Sequence, residues 1–145
     1  MKSKLLQMVN GQRTFALVFE TGDEVAAGML EFAKEQRLLG SHLTGIGAFQ
    51  DAVLGYWDWT TREYRRIPLR EQVEVVSLVG NIALGPEGDP KVHAHVVVSK
   101  SDGTAHGGHL LEGHVRPTLE AVVIESPEHL QRSMDPETGL ALLKV

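Results

Sequence analysis

The chain carries two hydrophobic periods in succession. Thr14 to Glu20 is mostly apolar and stops at Thr21-Gly22, which reads as a strand ended by a turn. Thr21-Gly22-Asp23-Glu24 then sets a hydroxyl and a carboxylate three residues apart, the pattern of a capping box. Val25, Met29, Phe32 and Ala33 follow at helical spacing. Asp23 and Glu24 suit the positive end of a helix, Lys34 and Arg37 the negative end, and Gly40 supplies a stop. The pattern predicts a helix from Asp23 to about Leu38.

Beyond Gly40 the pattern changes to short β-type runs. Leu43 to Phe49, Ala52 to Thr60, Gln72 to Leu84, Val92 to Ser99, Thr104 to Leu111 and Leu119 to Ser126 read as strands. Gly85-Pro86-Glu87-Gly88-Asp89-Pro90 is a turn-rich loop between two of them. One helix among many strands predicts an α+β fold, an antiparallel sheet covered by the helix. No repeat, low-complexity tract or linker divides the sequence, so residues 1–145 are read as a single domain.

Composition narrows the function. The 145 residues are 42% hydrophobic and 23% charged, which excludes disordered and collagen-like classes. The absence of cysteine excludes disulfides, thiolate metal sites and a cysteine nucleophile. The net charge of −5 argues against a free-standing nucleic-acid binder, because counterion release needs clustered cations. No apolar run approaches the ~20 residues of a membrane span. Met1-Lys2-Ser3-Lys4-Leu5 lacks the apolar core of a signal peptide, so a cytoplasmic setting is expected.

The histidines carry the chemistry. Of seven, four fall between His93 and His109. On a strand, residues i and i+2 share a face, so His93 and His95 stand side by side as two imidazole ligands would. A third ligand on the next strand would complete a three-histidine set with an open position, and His106 and His109 are the candidates. A two-residue Asp102-Gly103 turn would pair Ser101 with Thr104 and put His109 on the face opposite His95. A three-residue loop, Ser101-Asp102-Gly103, would pair Lys100 with Thr104, set His95 directly across from His109, and turn His106 away with Val98. The longer loop wants glycine last, and Gly103 is there. Paired Cβ atoms lie ~4.5–5.5 Å apart, close enough for both rings to reach one ion. This favours His93, His95 and His109; a bulge at Gly107 or Gly108 would shift the register.

Other groups say less. Gly45-Ile46-Gly47 reads as close packing, since no helix follows to make a phosphate loop. Tyr56, Trp57, Trp59 and Tyr64 fall across a hairpin and read as packing before they read as a stacking platform. Arg62, Arg65, Arg66 and Arg70 form the one basic cluster, read as a solvated surface before an anion or nucleic-acid site. Glu112 and Glu120 are acid/base candidates that no spacing singles out.

Taken together, several of these segments resemble a known family. Gly45-Ile46-Gly47-Ala48, Glu74-Val75-Val76-Ser77-Leu78-Val79-Gly80-Asn81-Ile82, His93-Ala94-His95, Asp102-Gly103 and Gly107-Gly108-His109-Leu110 are similar, in order, to the PPC (plants and prokaryotes conserved) domain, over about Phe15 to Glu125. The resemblance is to the stand-alone prokaryotic type. It implies one helix packed on an antiparallel sheet, a homotrimer, and a histidine triad at His93, His95 and His109. It also brings the label of candidate DNA-binding protein, taken from plant relatives that carry an AT-hook beside the domain. This sequence contains no Arg-Gly-Arg, and Val115-Arg116-Pro117 is not a hook core.

Three functions follow. The first is a metal-site protein that binds or transforms a small ligand, with zinc or another divalent ion at the triad and water, an anion or a small ligand in the open position; whether it is an enzyme stays open. The second is an assembly or transcription-associated protein-interaction module. The third is direct DNA binding through the arginine cluster.

Overall fold

The computed structural model describes residues 1–144. Nine strands and one helix follow in the order β1 (Lys2–Val9), β2 (Gln12–Glu20), α1 (Val25–Glu35), β3 (Gly40–Asp58), β4 (Glu63–Leu69), β5 (Val73–Leu84), β6 (Pro90–Ser99), β7 (Ala105–Glu125), β8 (Gln131–Met134) and β9 (Ala141–Lys144). All strands belong to one sheet. Its pairings are antiparallel apart from one parallel contact, Leu84 with Gln131 between β5 and β8. The expected sheet with a single helix is present, and the sheet dominates it.

The sheet folds back on itself. β7 pairs with β3, β3 with β5, β5 with β6, and β6 again with β7. Two long strands make this closure: β3 has 19 residues and β7 has 21. The sequence pattern had divided each into two strands. Register shifts along their pairing, such as those between Gly47 and Phe49 and between Phe49 and Asp51, let each strand bend and change partners without ending.

Alternation decides which face is inside. Phe15, Leu17 and Phe19 of β2, Leu119, Ala121 and Val123 of β7, and Ala94, Val96 and Val98 of β6 are buried at two-residue spacing. The helix adds Val25, Met29, Phe32 and Ala33, and Phe15 meets Phe32 edge-on at 5.2 Å. A helix of 11 residues is marginal in isolation, so this apolar face is what holds it.

Four expectations need correction. The helix begins at Val25, and Glu24 is its N-cap, its carboxylate accepting from the Ala26 and Ala27 amides at 3.1 and 2.7 Å. Thr21 instead donates to the Pro117 carbonyl, because the chain must first turn out of β2, and the Gly22 amide is held by Val115 O. The helix ends at Glu35, with Arg37 at φ 53°, and Gly40 opens β3. Finally, β1, β4, β8 and β9 have no counterpart among the predicted strands, β4 entering only as the far side of the aromatic hairpin. All eight β1 residues are exposed, which removes the alternation that reveals a strand.

Candidate metal centre

The centre grows from one loop. Lys100 N donates to Thr104 O at 2.9 Å and Gly103 N to Lys100 O at 2.9 Å, closing a three-residue connection over Ser101-Asp102-Gly103. Gly103 sits at φ 81°, where glycine bears no steric cost. Asp102 braces the turn by accepting from the Thr104 amide and hydroxyl at 2.9 and 2.6 Å. From here the register runs Ser99 with Ala105, Val98 with His106, Val97 with Gly107, Val96 with Gly108, and His95 with His109. The odd-length loop therefore sets His95 across from His109, and His106 pairs with Val98 on the other face.

Ala94, Val96, Val98 and Leu110 point into the core, so His93, His95 and His109 lie on the opposite face. One ligand atom from each lies within 4.8 Å of the other two. Ring centroids are 5.1 Å apart for His93–His95 and His93–His109, and 5.4 Å for His95–His109. His93 Nε2 and His95 Nε2 are 3.2 Å apart. Two imidazole nitrogens bound tetrahedrally at ~2.05 Å to one zinc ion would stand ~3.3 Å apart. The donor set and its spacing fit a divalent ion.

The walls come from distant segments. On one side Tyr64 of β4 stacks on His109 with centroids 4.7 Å apart and planes 28° from parallel. Gly55 is the β3 partner of His109, and a Cβ there would meet the Tyr64 ring at 2.8 Å, so the missing side chain leaves space for that ring. Tyr64 Oη lies 3.5 Å from His109 Nδ1, at the outer limit of hydrogen bonding, and Trp57 braces Tyr64 edge-on at 5.0 Å. An interaction at Nδ1 leaves Nε2 for an ion. On the other side Asn81 of β5 is the cross-strand partner of His93. Arg132 of β8 donates through Nη2 to Asn81 Oδ1 and through Nη1 to the Ala141 carbonyl at 3.1 Å.

This surrounding suppresses protonation. Burial, then the charges of His93 and His95, pushes His109 down to about 4. Burial, then Arg132 and His95, lowers His93 as well. Both are thereby neutral at pH 7, the form that ligates a metal.

The remaining candidates scatter. Arg66 pairs with Glu112 at 2.5 Å and Arg65 lies over the Tyr56 ring at 5.0 Å, so those arginines are engaged locally. Glu120 lies on the exposed side of β7, opposite Val18. Gly45 and Gly47 lie within β3 at a register shift against β5, in keeping with close packing. Tyr64 was singled out in the sequence only as an aromatic near a hairpin. Asn81 entered the sequence reading only inside a family segment, with no role, and Arg132 not at all: 51 positions separate them, and only the β5–β8 contact joins them.

The Plants and Prokaryotes Conserved (PCC) domain matches residues 6–127. The chain belongs to this family. A Pyrococcus horikoshii plant- and prokaryote-conserved protein is 34% identical, with 92% of each chain covered and a TM-score of 0.85. A metal-containing protein of Archaeoglobus fulgidus is 32% identical over 99% of this chain and 97% of its own, with a TM-score of 0.83. A protein of Ralstonia eutropha, named as a candidate for DNA binding, is 29% identical over 90% of each chain, with a TM-score of 0.82. This PCC-domain chain also matches the bifunctional protein GlmU of a Synechococcus strain at 32% identity, spanning 92% of its own length but only 20% of that relative.

Proposed function

We propose that this PCC-domain protein is a homotrimeric metal protein, in which His93, His95 and His109 hold one zinc ion and leave a position open for a small ligand. The observation that carries the reading is the convergence of three imidazoles, two of them held neutral, on one face of the β6–β7 hairpin. The metal-containing relative from Archaeoglobus fulgidus supports it. Three imidazole donors with a fourth position open suit zinc, which when bound supplies a Lewis acid and an activated water. The chain's own residues orient the donors: Tyr64 packs on His109, and the β5 and β7 ladders on either side of β6 fix the angle between His93 and His95.

The sheet's outer face supports self-association. Val18, Ile46, Val76, Val79, Val97, Val122 and Ile124 are each between 37% and 62% exposed there. Several of them line a shallow depression of about 500 Å³ across β2, β3, β5 and β7. Contiguous apolar surface of this kind marks an interaction site, and Val79, the partner of His95, brings that surface to the edge of the centre.

Metal analysis of protein purified without a His-tag tests the reading. About one zinc per chain, lost in His95→Ala, is expected; a reconstituted protein that retains none overturns it. Sedimentation equilibrium should return three times the chain mass, and a monomer would remove the trimer.

The second reading, a DNA-associated interaction module, draws on the Ralstonia eutropha relative's name. The net charge of −5 and the local engagement of Arg65 and Arg66 weigh against direct contact with DNA. Duplex affinity should be weaker than micromolar at physiological salt, with little slope against log salt.

A further inference from the structure

Arg132 is the one strongly buried cation among the described residues, with 5% of its surface exposed. Its partners are both neutral: the Asn81 side-chain oxygen and the Ala141 carbonyl. Its Nε is buried with no acceptor, and no described carboxylate lies within ion-pair distance of it. A buried charge without a counter-ion is costly, and proteins rarely keep one with nothing to balance it. The other partly buried arginine shows the contrast: Arg13 holds Glu125 through two guanidinium hydrogen bonds at 2.6 and 2.8 Å.

The position of Arg132 says where a balancing charge belongs. Its hydrogen bond occupies Asn81 Oδ1, so the carboxamide turns its NH₂ away from the guanidinium. Asn81 pairs with His93 across β5 and β6, so the two side chains share the outer face. One side of the triad therefore carries an oriented amide donor backed by a buried positive charge, and the opposite side carries the Tyr64 ring. A divalent ion bound by three neutral histidines adds two further uncompensated charges at the same place.

We propose that the open position of the centre takes a small carboxylate, which accepts from the Asn81 amide and answers the buried charge of Arg132. This rests on the metal reading above and names the ligand class for it. Arg132 lies behind Asn81, so it is a specificity-determining residue that acts through its field and through the orientation of Asn81. A neutral isostere of the carboxylate satisfies the amide but leaves the charge unanswered, so the pair selects an anion over an amide.

The test uses the full chain loaded with cobalt(II), whose visible spectrum reports the metal's ligands. Acetate is titrated against acetamide in the wild type, in Arg132→Met and in Asn81→Asp; the last places a counter-ion beside Arg132 within the protein. Acetate should perturb the wild-type spectrum saturably and acetamide should not. Both variants should keep one cobalt per chain and bind acetate about tenfold more weakly or worse. Cobalt retained at full stoichiometry with the wild-type acetate affinity in both variants overturns the carboxylate site alone. So does a wild-type spectrum that acetate leaves unchanged. Failure of the wild type to bind cobalt overturns the metal centre and the carboxylate site together. Should Arg132→Met fail to fold, Asn81→Asp, which keeps the guanidinium and gains an ion pair, decides by the same readout.

Discussion

Two hairpins of this sheet each close on a glycine at positive φ, one through a two-residue and one through a three-residue loop, and come to different ends. The β1–β2 hairpin turns at Asn10-Gly11, with φ of 50° and 82°, and the β6–β7 hairpin turns at a loop ending in Gly103 at 81°. In β1 every residue is exposed, and its register against β2 already shifts between Leu5 and Gln7. In β6 both faces are committed: Ala94, Val96 and Val98 fill the core, and His93 and His95 form the centre. A turn proposes a register, and burial of one face enforces it, because a one-residue slip would exchange every side chain between core and solvent. β1 has no buried face to lose and tolerates the irregularity. The β6–β7 pairing runs unshifted from Ser99–Ala105 to His95–His109, and that continuity is what gives the candidate centre on its outer face a fixed geometry.

The comparison can be broken most severely at the histidines. His95→Ala or His109→Ala should reduce zinc affinity by more than about 100-fold, since losing an outer-shell partner alone costs 10–100-fold; competition with a chromogenic chelator measures this. Next, Leu110→Ala on the inner face of β7 should destabilise the fold by about 3 kcal/mol in urea titration, with Leu6→Ala on β1 staying within about 0.5. Equal effects would erase the distinction between the two hairpins.

Acid should act on the centre before the fold. His109 holds its proton only near pH 4, below the ordinary 6.5 of an unfolded histidine. Between those values the unfolded chain binds a proton that the native site refuses, so metal-free stability falls as pH drops through that window. Bound metal should dissociate as pH falls below ~6.5, because protons compete for the same nitrogens. A midpoint unchanged between pH 7 and 4.5 would contradict this. Gly103→Ala should cost ~1–2 kcal/mol through backbone strain, and Gly11→Ala should fray β1 with less effect on the global midpoint. The smallest change is expected of His106→Ala, which leaves zinc affinity within about twofold because His106 faces away with Val98.

The sequence by itself determined the part of this protein that rests on local chemistry. The alternation of β6, the i and i+2 spacing of His93 and His95, and a glycine closing an odd-length loop were enough to set His95 across from His109. The apolar face of the helix was equally legible, since Val25, Met29, Phe32 and Ala33 recur at its period. Tertiary structure decided the rest. Whether Thr21 or Glu24 caps the helix depended on how the chain leaves β2, and the continuity of β3 and β7 depended on bends that change their partners. The surroundings of the triad were decided in the same way. Tyr64 and Arg132 reach it from β4 and β8, and no local rule brings a residue at 64 or 132 beside histidines near 100. Local periodicity assigns a side chain to a face, because backbone geometry alternates it. Its neighbours on that face are chosen by how distant strands pair, and that choice is made by burying the whole core at once.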